Sequence, residues 1–90
     1  MTKLILATEN YSPLHRSSIM AAKLFSMKSG IPLKIVDSNW LLKVGFKPYV
    51  PTFLMESDEG SFRVIKVGCC MDHWRTVRQL ESVSRDPNFT

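Results

Sequence analysis

Residues 50–68 read VPTFLMESDEGSFRVIKVG, and this stretch decides the fold. Its two apolar segments, 52–55 and 62–67, have the composition of β-strands. Residues 57–60 between them, Ser-Asp-Glu-Gly, are typical of a hairpin turn with glycine in the last place. Pro48 and Pro51 bracket a loop in front of the first segment. The sequence therefore predicts an antiparallel hairpin that the chain enters through this loop.

The segment before the hairpin predicts a strand, a helix and a second strand. Residues 4–6 form a short apolar run that is suited to a buried strand. Ser12 followed by Pro13 is a helix-start signal, because serine can cap free amides and proline is preorganised for the first helical turn. Gly30 is placed to end that helix, and residues 33–36 form the next strand. A strand-helix-strand unit predicts a right-handed crossover between parallel strands.

The remaining segments complete the predicted order. Residues 37–39 are turn-forming and end the second strand, and residues 40–44 are predicted to form a short helix ended by Gly45. The apolar residues of a last helix recur at positions 74, 77, 80 and 83, before an Arg-Asp-Pro stop at 85–87. We predict one α/β domain over residues 1–90, with the order βαβαββα and a four-stranded mixed sheet that carries helices on both faces.

Composition narrows the class of protein. The chain has 90 residues, which is too few for two domains. Of these residues 44% are hydrophobic, which is enough for one compact core. The apolar run near the start is too short for a signal peptide or a membrane span, so a cytoplasmic protein is expected. The formal charge of +4 comes from scattered Lys and Arg residues. Nucleic-acid binding is therefore a third hypothesis that rests on charge alone.

The order of elements and the segments Val50-Pro51-Thr52-Phe53-Leu54 and Lys66-Val67-Gly68 resemble the thioredoxin-like family. In that family an apolar residue, a cis-proline and a threonine open the third strand, and Val-Gly closes the fourth. The resemblance implies a thioredoxin-like fold and a cis Val50-Pro51 peptide bond. It also implies that the Val50 backbone faces outward, where it can align an extended polypeptide.

The same resemblance implies that the redox site has degenerated. Tyr11-Ser12-Pro13-Leu14 stands where the family has Cys-Gly-Pro-Cys, and Ile5 replaces the family's buried aspartate. Disulfide exchange needs a thiolate at the helix start and a resolving thiol one turn later, and Tyr11 and Leu14 can supply neither. We therefore expect a redox-inactive module without a cofactor that binds a partner protein or an extended polypeptide. The expected binding residues are Tyr11, Ser12, Pro13, Leu14, Val50, Pro51, Gly68 and Cys69.

The adjacent Cys69 and Cys70 keep an alternative open, namely a thiol-disulfide oxidoreductase or a glutathione-binding protein. Gly68-Cys69-Cys70-Met71-Asp72 is also similar to the Gly-x-x-x-Asp turn with which glutaredoxins hold the γ-glutamyl end of glutathione. Against this alternative, a small buried cysteine is commonly inert, and adjacent cysteines bridge only through a strained ring. Cys70-x-x-His73, with His15 or Asp72 nearby, lacks the second pair of ligands that indicates zinc, so no metal is expected.

Some conspicuous residues have simple structural explanations. Met20, Phe25 and Met27 recur at helical spacing in the first long helix, and Trp74 falls on the apolar face of the last helix, so these residues are predicted to lie in the core. His15 and Arg16 fall in the first turn of the first long helix and are predicted to be solvated, at the end of the helix dipole that disfavours cations.

Overall fold

The computed structural model describes residues 2–9, 15–68 and 72–85. These residues contain the predicted order of elements, βαβαββα. The predicted Pro13 start of the first helix lies outside the described residues, and the helix is described from Arg16 onward. The elements are β1 (Lys3–Ala7), α1 (Arg16–Ser29), β2 (Leu33–Val36), α2 (Ser38–Lys43), β3 (Thr52–Glu56), β4 (Phe62–Val67) and α3 (His73–Ser84).

The four strands form one mixed sheet in the order β2-β1-β3-β4. β1 and β2 are parallel, as a helical crossover requires, whereas β3 is antiparallel to both β1 and β4. Thr52, the first residue of β3, pairs with Ala7 at the end of β1 and with Val67 at the end of β4. We call this end of the sheet, where β1, β2 and β4 finish and β3 begins, the Thr52 end.

Alternation along β1 and β3 divides the core into two layers, because successive side chains of a strand point to opposite faces. One layer contains side chains from α1 and α3, and the other contains Leu41 of α2. Helices therefore cover both faces of the sheet, as predicted. The first layer holds Leu4, Leu6, Ala21, Ala22, Phe25, Phe53, Met55, Val77 and Leu80, and the second holds Ile5, Ala7, Leu41 and Leu54.

The pairing of β3 with β4 contains a β-bulge. Phe53 pairs with Lys66 and Leu54 pairs with Val64, so Ile65 is an extra residue on β4. The Ile65 carbonyl accepts a hydrogen bond of 3.3 Å from the Gln79 side chain of α3. The bulge is therefore supported by the helix that covers it.

The predicted turns agree with the structure at two glycines. Gly30 adopts the left-handed conformation, with φ of 76°, and its N–H donates to the Ser26 carbonyl at 2.9 Å. Gly60, with φ of 85°, occupies the last place of the hairpin turn, and its N–H donates to the Ser57 carbonyl at 3.0 Å. Both positions favour glycine because a side chain strains this conformation.

The second helix differs from its predicted bounds. It begins at Ser38 rather than at residue 40, because the Asp37 carboxylate caps it by accepting a hydrogen bond of 3.0 Å from the Trp40 N–H. The composition of residues 37–39 predicts a turn, whereas residues 38 and 39 are helical. The helix ends at Lys43, one residue before its predicted last residue.

The prediction of core residues was wrong for Met20, Met27 and Trp74. The buried stripe of α1 consists of Ser18, Ala21, Ala22 and Phe25, and the two methionines lie on the opposite side of the helix. Met27 is 82% exposed and Met20 is half exposed. Trp74 is 51% exposed, because the buried stripe of α3 begins only at Thr76. Phe25 is buried as predicted.

No helix among the described residues has both the length and the apolar character needed to cross a bilayer.

Candidate functional site

The loop that enters β3 is fixed at the Thr52 end by its own hydrogen bonds. The Val50-Pro51 peptide bond is cis, the isomer that the resemblance implies, and the Pro51 ring is buried. The Pro51 carbonyl accepts a hydrogen bond of 2.9 Å from the Gly68 N–H. The Thr52 hydroxyl donates to the Tyr49 carbonyl at 2.6 Å. These bonds hold the loop against the end of β4.

Val50 lies between these anchored residues. Its side chain is half-buried and packs against the core layer beside α2. No hydrogen bond joins the Val50 backbone to any other residue in the described parts of the chain. Its N–H and C=O thus have the hydrogen-bonding capacity that an added extended chain uses in β-strand addition.

Three of the predicted binding residues are therefore brought together: Val50, Pro51 and Gly68. The other five, Tyr11, Ser12, Pro13, Leu14 and Cys69, lie outside the described residues, as does Cys70. Their place beside Val50 stays a prediction from the resemblance.

The structure adds three exposed apolar side chains that sequence reasoning did not assign to the site. Tyr49 is 58% exposed in the loop before β3, and Val67 is 55% exposed at the end of β4. Trp74 is in the first turn of α3, which begins shortly after Gly68. We call Tyr49, Val67 and Trp74 the apolar rim. The sequence signal that could have identified these three residues is that they lie close in sequence to Val50, Gly68 and the capping residue Asp72.

His15 is buried rather than solvated, which corrects the prediction for this residue. It is only 7% exposed, and its Nδ1 accepts a hydrogen bond of 3.1 Å from the Glu9 N–H. Because Nδ1 accepts from an N–H, it carries no proton, so the Thr8 hydroxyl 2.7 Å away is also a donor to it. The imidazole thus ties the start of α1 to the segment that leaves β1. Arg16 is exposed, as predicted.

Glu9 extends this network to the other face of the sheet. Its Oε1 accepts a hydrogen bond of 3.2 Å from the Ser38 hydroxyl in the first turn of α2. The starts of α1 and α2 are thereby linked through the residues that follow β1.

Asp72 has a structural role in this fold. Its Oδ1 accepts hydrogen bonds from the N–H groups of Trp74 at 3.0 Å and Arg75 at 3.4 Å, so it caps α3. The resemblance to the glutathione-binding turn of glutaredoxins involves this same aspartate. The cap fixes the first turn of α3, which contains Trp74.

A concave surface lies beside the carboxyl ends of β1 and β2. It is an open cleft of about 440 Å³, with Thr8, Asp37, Trp40 and Lys43 among its walls. Trp40 is held by an edge-on contact with Phe62, at 5.4 Å between ring centroids, and Lys34 Nζ lies 5.9 Å from the Trp40 ring centre. The cleft is thus a shallow surface with a fixed aromatic wall.

Among residues 2–9, 15–68 and 72–85, no three His, Cys, Asp or Glu side chains converge on a point where they could hold a metal ion. Comparison with known proteins found no matching family model, no similar curated protein and no similar solved structure. The functional interpretation of the Thr52 end therefore rests on its own residues.

Proposed function

We propose that this chain is a redox-inactive, thioredoxin-like module that binds an extended segment of a partner protein at the Thr52 end. The observation that carries the proposal is the Val50 backbone, which has no partner in the described residues and precedes Pro51, whose carbonyl accepts a hydrogen bond from the Gly68 N–H. A strand order of β2-β1-β3-β4, with a parallel first pair and a following hairpin, supports the thioredoxin-like assignment. The cytoplasmic location stays a prediction.

The apolar rim supplies the second line of support. Tyr49 precedes Val50, Val67 precedes Gly68, and Trp74 lies in the first turn of the helix that follows β4; each is more than half exposed. Aromatic side chains are frequent anchors of protein interfaces, because they bury a large area at little cost in conformational entropy. A partner segment that adds its backbone to Val50 would bring its side chains to these residues.

Photo-cross-linking tests this placement. A photoreactive phenylalanine analogue replaces either Tyr49 or Met27, and each protein is irradiated in an extract of its native source. Met27 is the matched control, because it is exposed and apolar but lies on α1 away from the sheet. We expect a discrete covalent adduct from position 49 only. Adducts from position 27 alone, or equal adducts from both, would contradict the proposal.

Mutation of Tyr11 provides a quantitative check. The resemblance places Tyr11 beside Val50, so Tyr11→Ala should weaken binding of the captured partner by about 1–3 kcal/mol, the scale of an aromatic anchor. Lys28→Glu changes a charge on α1, remote from the Thr52 end, and should alter binding far less. If Tyr11→Ala binds as the parent does while Lys28→Glu abolishes binding, the site lies elsewhere.

A second candidate function is thiol-disulfide exchange or glutathione binding through Cys69 and Cys70. The observation that favours it is the hydrogen bond from Gly68 to Pro51, because Cys69 is the next residue after Gly68. Insulin reduction with a dithiol reductant distinguishes the two functions. We expect a rate no higher than that of buffer, since Tyr11 and Leu14 replace both catalytic thiols. Activity that is lost in Cys69→Ser or Cys70→Ser would favour the second candidate.

A further inference from the structure

The carboxylates at the Thr52 end are engaged by the fold itself. Glu9 accepts a hydrogen bond from the Ser38 hydroxyl, Asp37 caps α2, and Asp72 caps α3. Asp37 and Asp72 accept from backbone N–H groups that have no acceptor within their helices, and Glu9 accepts from a side-chain hydroxyl. Their negative charge is thus directed toward the protein's own backbone and hydroxyl groups.

The cations at the same end have no such engagement. Arg16 and Arg75 are exposed, and no ion pair involves them within the described residues. By contrast, Lys28 at the other end of α1 lies 3.1 Å from the Glu81 carboxylate. Arg16 and Arg75 also stand in the first turns of α1 and α3, where the helix dipole disfavours a cation.

From this asymmetry we infer that the segment bound at the Thr52 end is acidic. Resting on the function proposed above, the inference specifies an extended polypeptide whose apolar side chain contacts the apolar rim. Its aspartate or glutamate side chains flank that residue and pair with Arg16 and Arg75. Anionic side chains bound there would compensate the positive charge of these side chains and of the two helix starts. The formal charge of +4 would also raise the rate of association with an acidic segment.

Selection from a random peptide library displayed on phage tests the inference without a known partner. The complete chain is immobilised, and the Val67→Ala/Trp74→Ala double variant serves as the counter-selection target. We expect enriched peptides to combine an apolar residue with more Asp and Glu than the starting library contains.

Direct binding of an enriched peptide then separates the charges. By fluorescence anisotropy, Arg16→Gln/Arg75→Gln should raise the Kd about 2- to 30-fold, the range that two solvent-exposed ion pairs give. The matched control Lys3→Gln/Lys23→Gln removes two exposed cations away from the Thr52 end and should leave the Kd within about 2-fold. Raising the ionic strength from about 0.01 M to about 0.15 M should also weaken binding, because it shortens the screening length from about 30 Å to about 8 Å.

The possible results distinguish this inference from the proposed function. Enriched peptides that lack acidic residues but depend on Val67 and Trp74 would overturn the acidic partner and leave the binding module intact. Acidic peptides that bind Arg16→Gln/Arg75→Gln as tightly as the parent would also overturn it. The absence of any peptide that prefers the parent over Val67→Ala/Trp74→Ala would contradict both proposals. A DNA duplex that binds more tightly than the peptides, and through Arg16 and Arg75, would replace the acidic polypeptide with nucleic acid.

Discussion

Replacement of His15 by leucine tests the buried network at the start of α1. Leucine fills a similar volume with an apolar side chain. It removes the Nδ1 acceptor that the Thr8 hydroxyl and the Glu9 N–H share. Thr8 is buried, so its hydroxyl loses its acceptor in a place of little solvent. Each donor left without an acceptor costs about 1–3 kcal/mol, with the partly buried Glu9 amide at the low end, so we expect a loss of about 2–4 kcal/mol. A domain of this length has a free energy of unfolding of about 5–13 kcal/mol in total, so the effect should be large.

Urea unfolding measured by far-UV circular dichroism reports this loss as a shift of the midpoint. With a slope of about 1 kcal/mol per molar urea, His15→Leu should lower the midpoint by about 2 M or more. Thr8→Val in the same chain removes one of the two orphaned donors. The double variant Thr8→Val/His15→Leu should therefore regain about 1 kcal/mol relative to His15→Leu.

His73→Leu provides the matched control, because it removes an imidazole that lies in the first turn of α3 and is not buried. The free energy of unfolding obtained from its midpoint should differ from that of the parent by less than about 0.5 kcal/mol. The reasoning is refuted if His15→Leu is as stable as His73→Leu. It is also refuted if the added Thr8→Val regains nothing.

Three further predictions concern stability. Asp72→Ala removes the cap of α3 and should cost about 0.5–2 kcal/mol by urea unfolding, whereas Asp72→Ser, which keeps an acceptor, should cost less; equal losses would exclude the capping role. Gly30→Ala meets no atom within 4 Å, so its cost of about 1 kcal/mol should come from the left-handed backbone alone, and an unchanged midpoint would contradict this. Phe53→Ala should cost about 3–5 kcal/mol in thermal unfolding, and exposed Met27→Ala less than about 0.5 kcal/mol; similar losses would refute the assignment of the core.

The strands and their turns could be predicted because local chemistry determines them. The apolar run of β1 and the apolar segments of the hairpin identify the strands, and Gly30 and Gly60 mark places where the backbone must turn. These signals lie within a few residues of the feature they predict. The mixed sheet then follows from the connections, because a helical crossover makes strands parallel and a short turn makes them antiparallel.

The buried face of α1 could not be predicted in the same way. A search for large apolar side chains selects Met20 and Met27, whereas the stripe that packs in the core consists of Ser18, Ala21, Ala22 and Phe25. Small residues on a helix permit another element to pack closely against it, but hydrophobicity alone does not show which face of α1 is packed in this way. That face depends on the position of α3, which follows much later in the sequence.

The site was predictable only where a short motif specifies it. Val50, Pro51 and Gly68 are close in the structure because β3 and β4 pair, and the sequence contains a recognisable pattern at both places. His15 offered no such pattern. Its partners, Thr8 and Glu9, reach its ring only when the chain folds back after β1, so the exposed end of a helix was the default expectation for it.

The extra residue at Ile65 determines which side chains β4 presents near Gly68. Directly opposed residues of antiparallel strands share a face of the sheet, so Val67 lies on the face of Thr52 and Lys66 on the face of Phe53. If Ile65 instead paired with Phe53 in regular alternation, Lys66 would stand opposite Thr52, where Val67 stands now. The bulge therefore keeps an apolar side chain on the Thr52 face at the end of β4, and loss of the bulge, with every residue of the chain unchanged, would put a cation there.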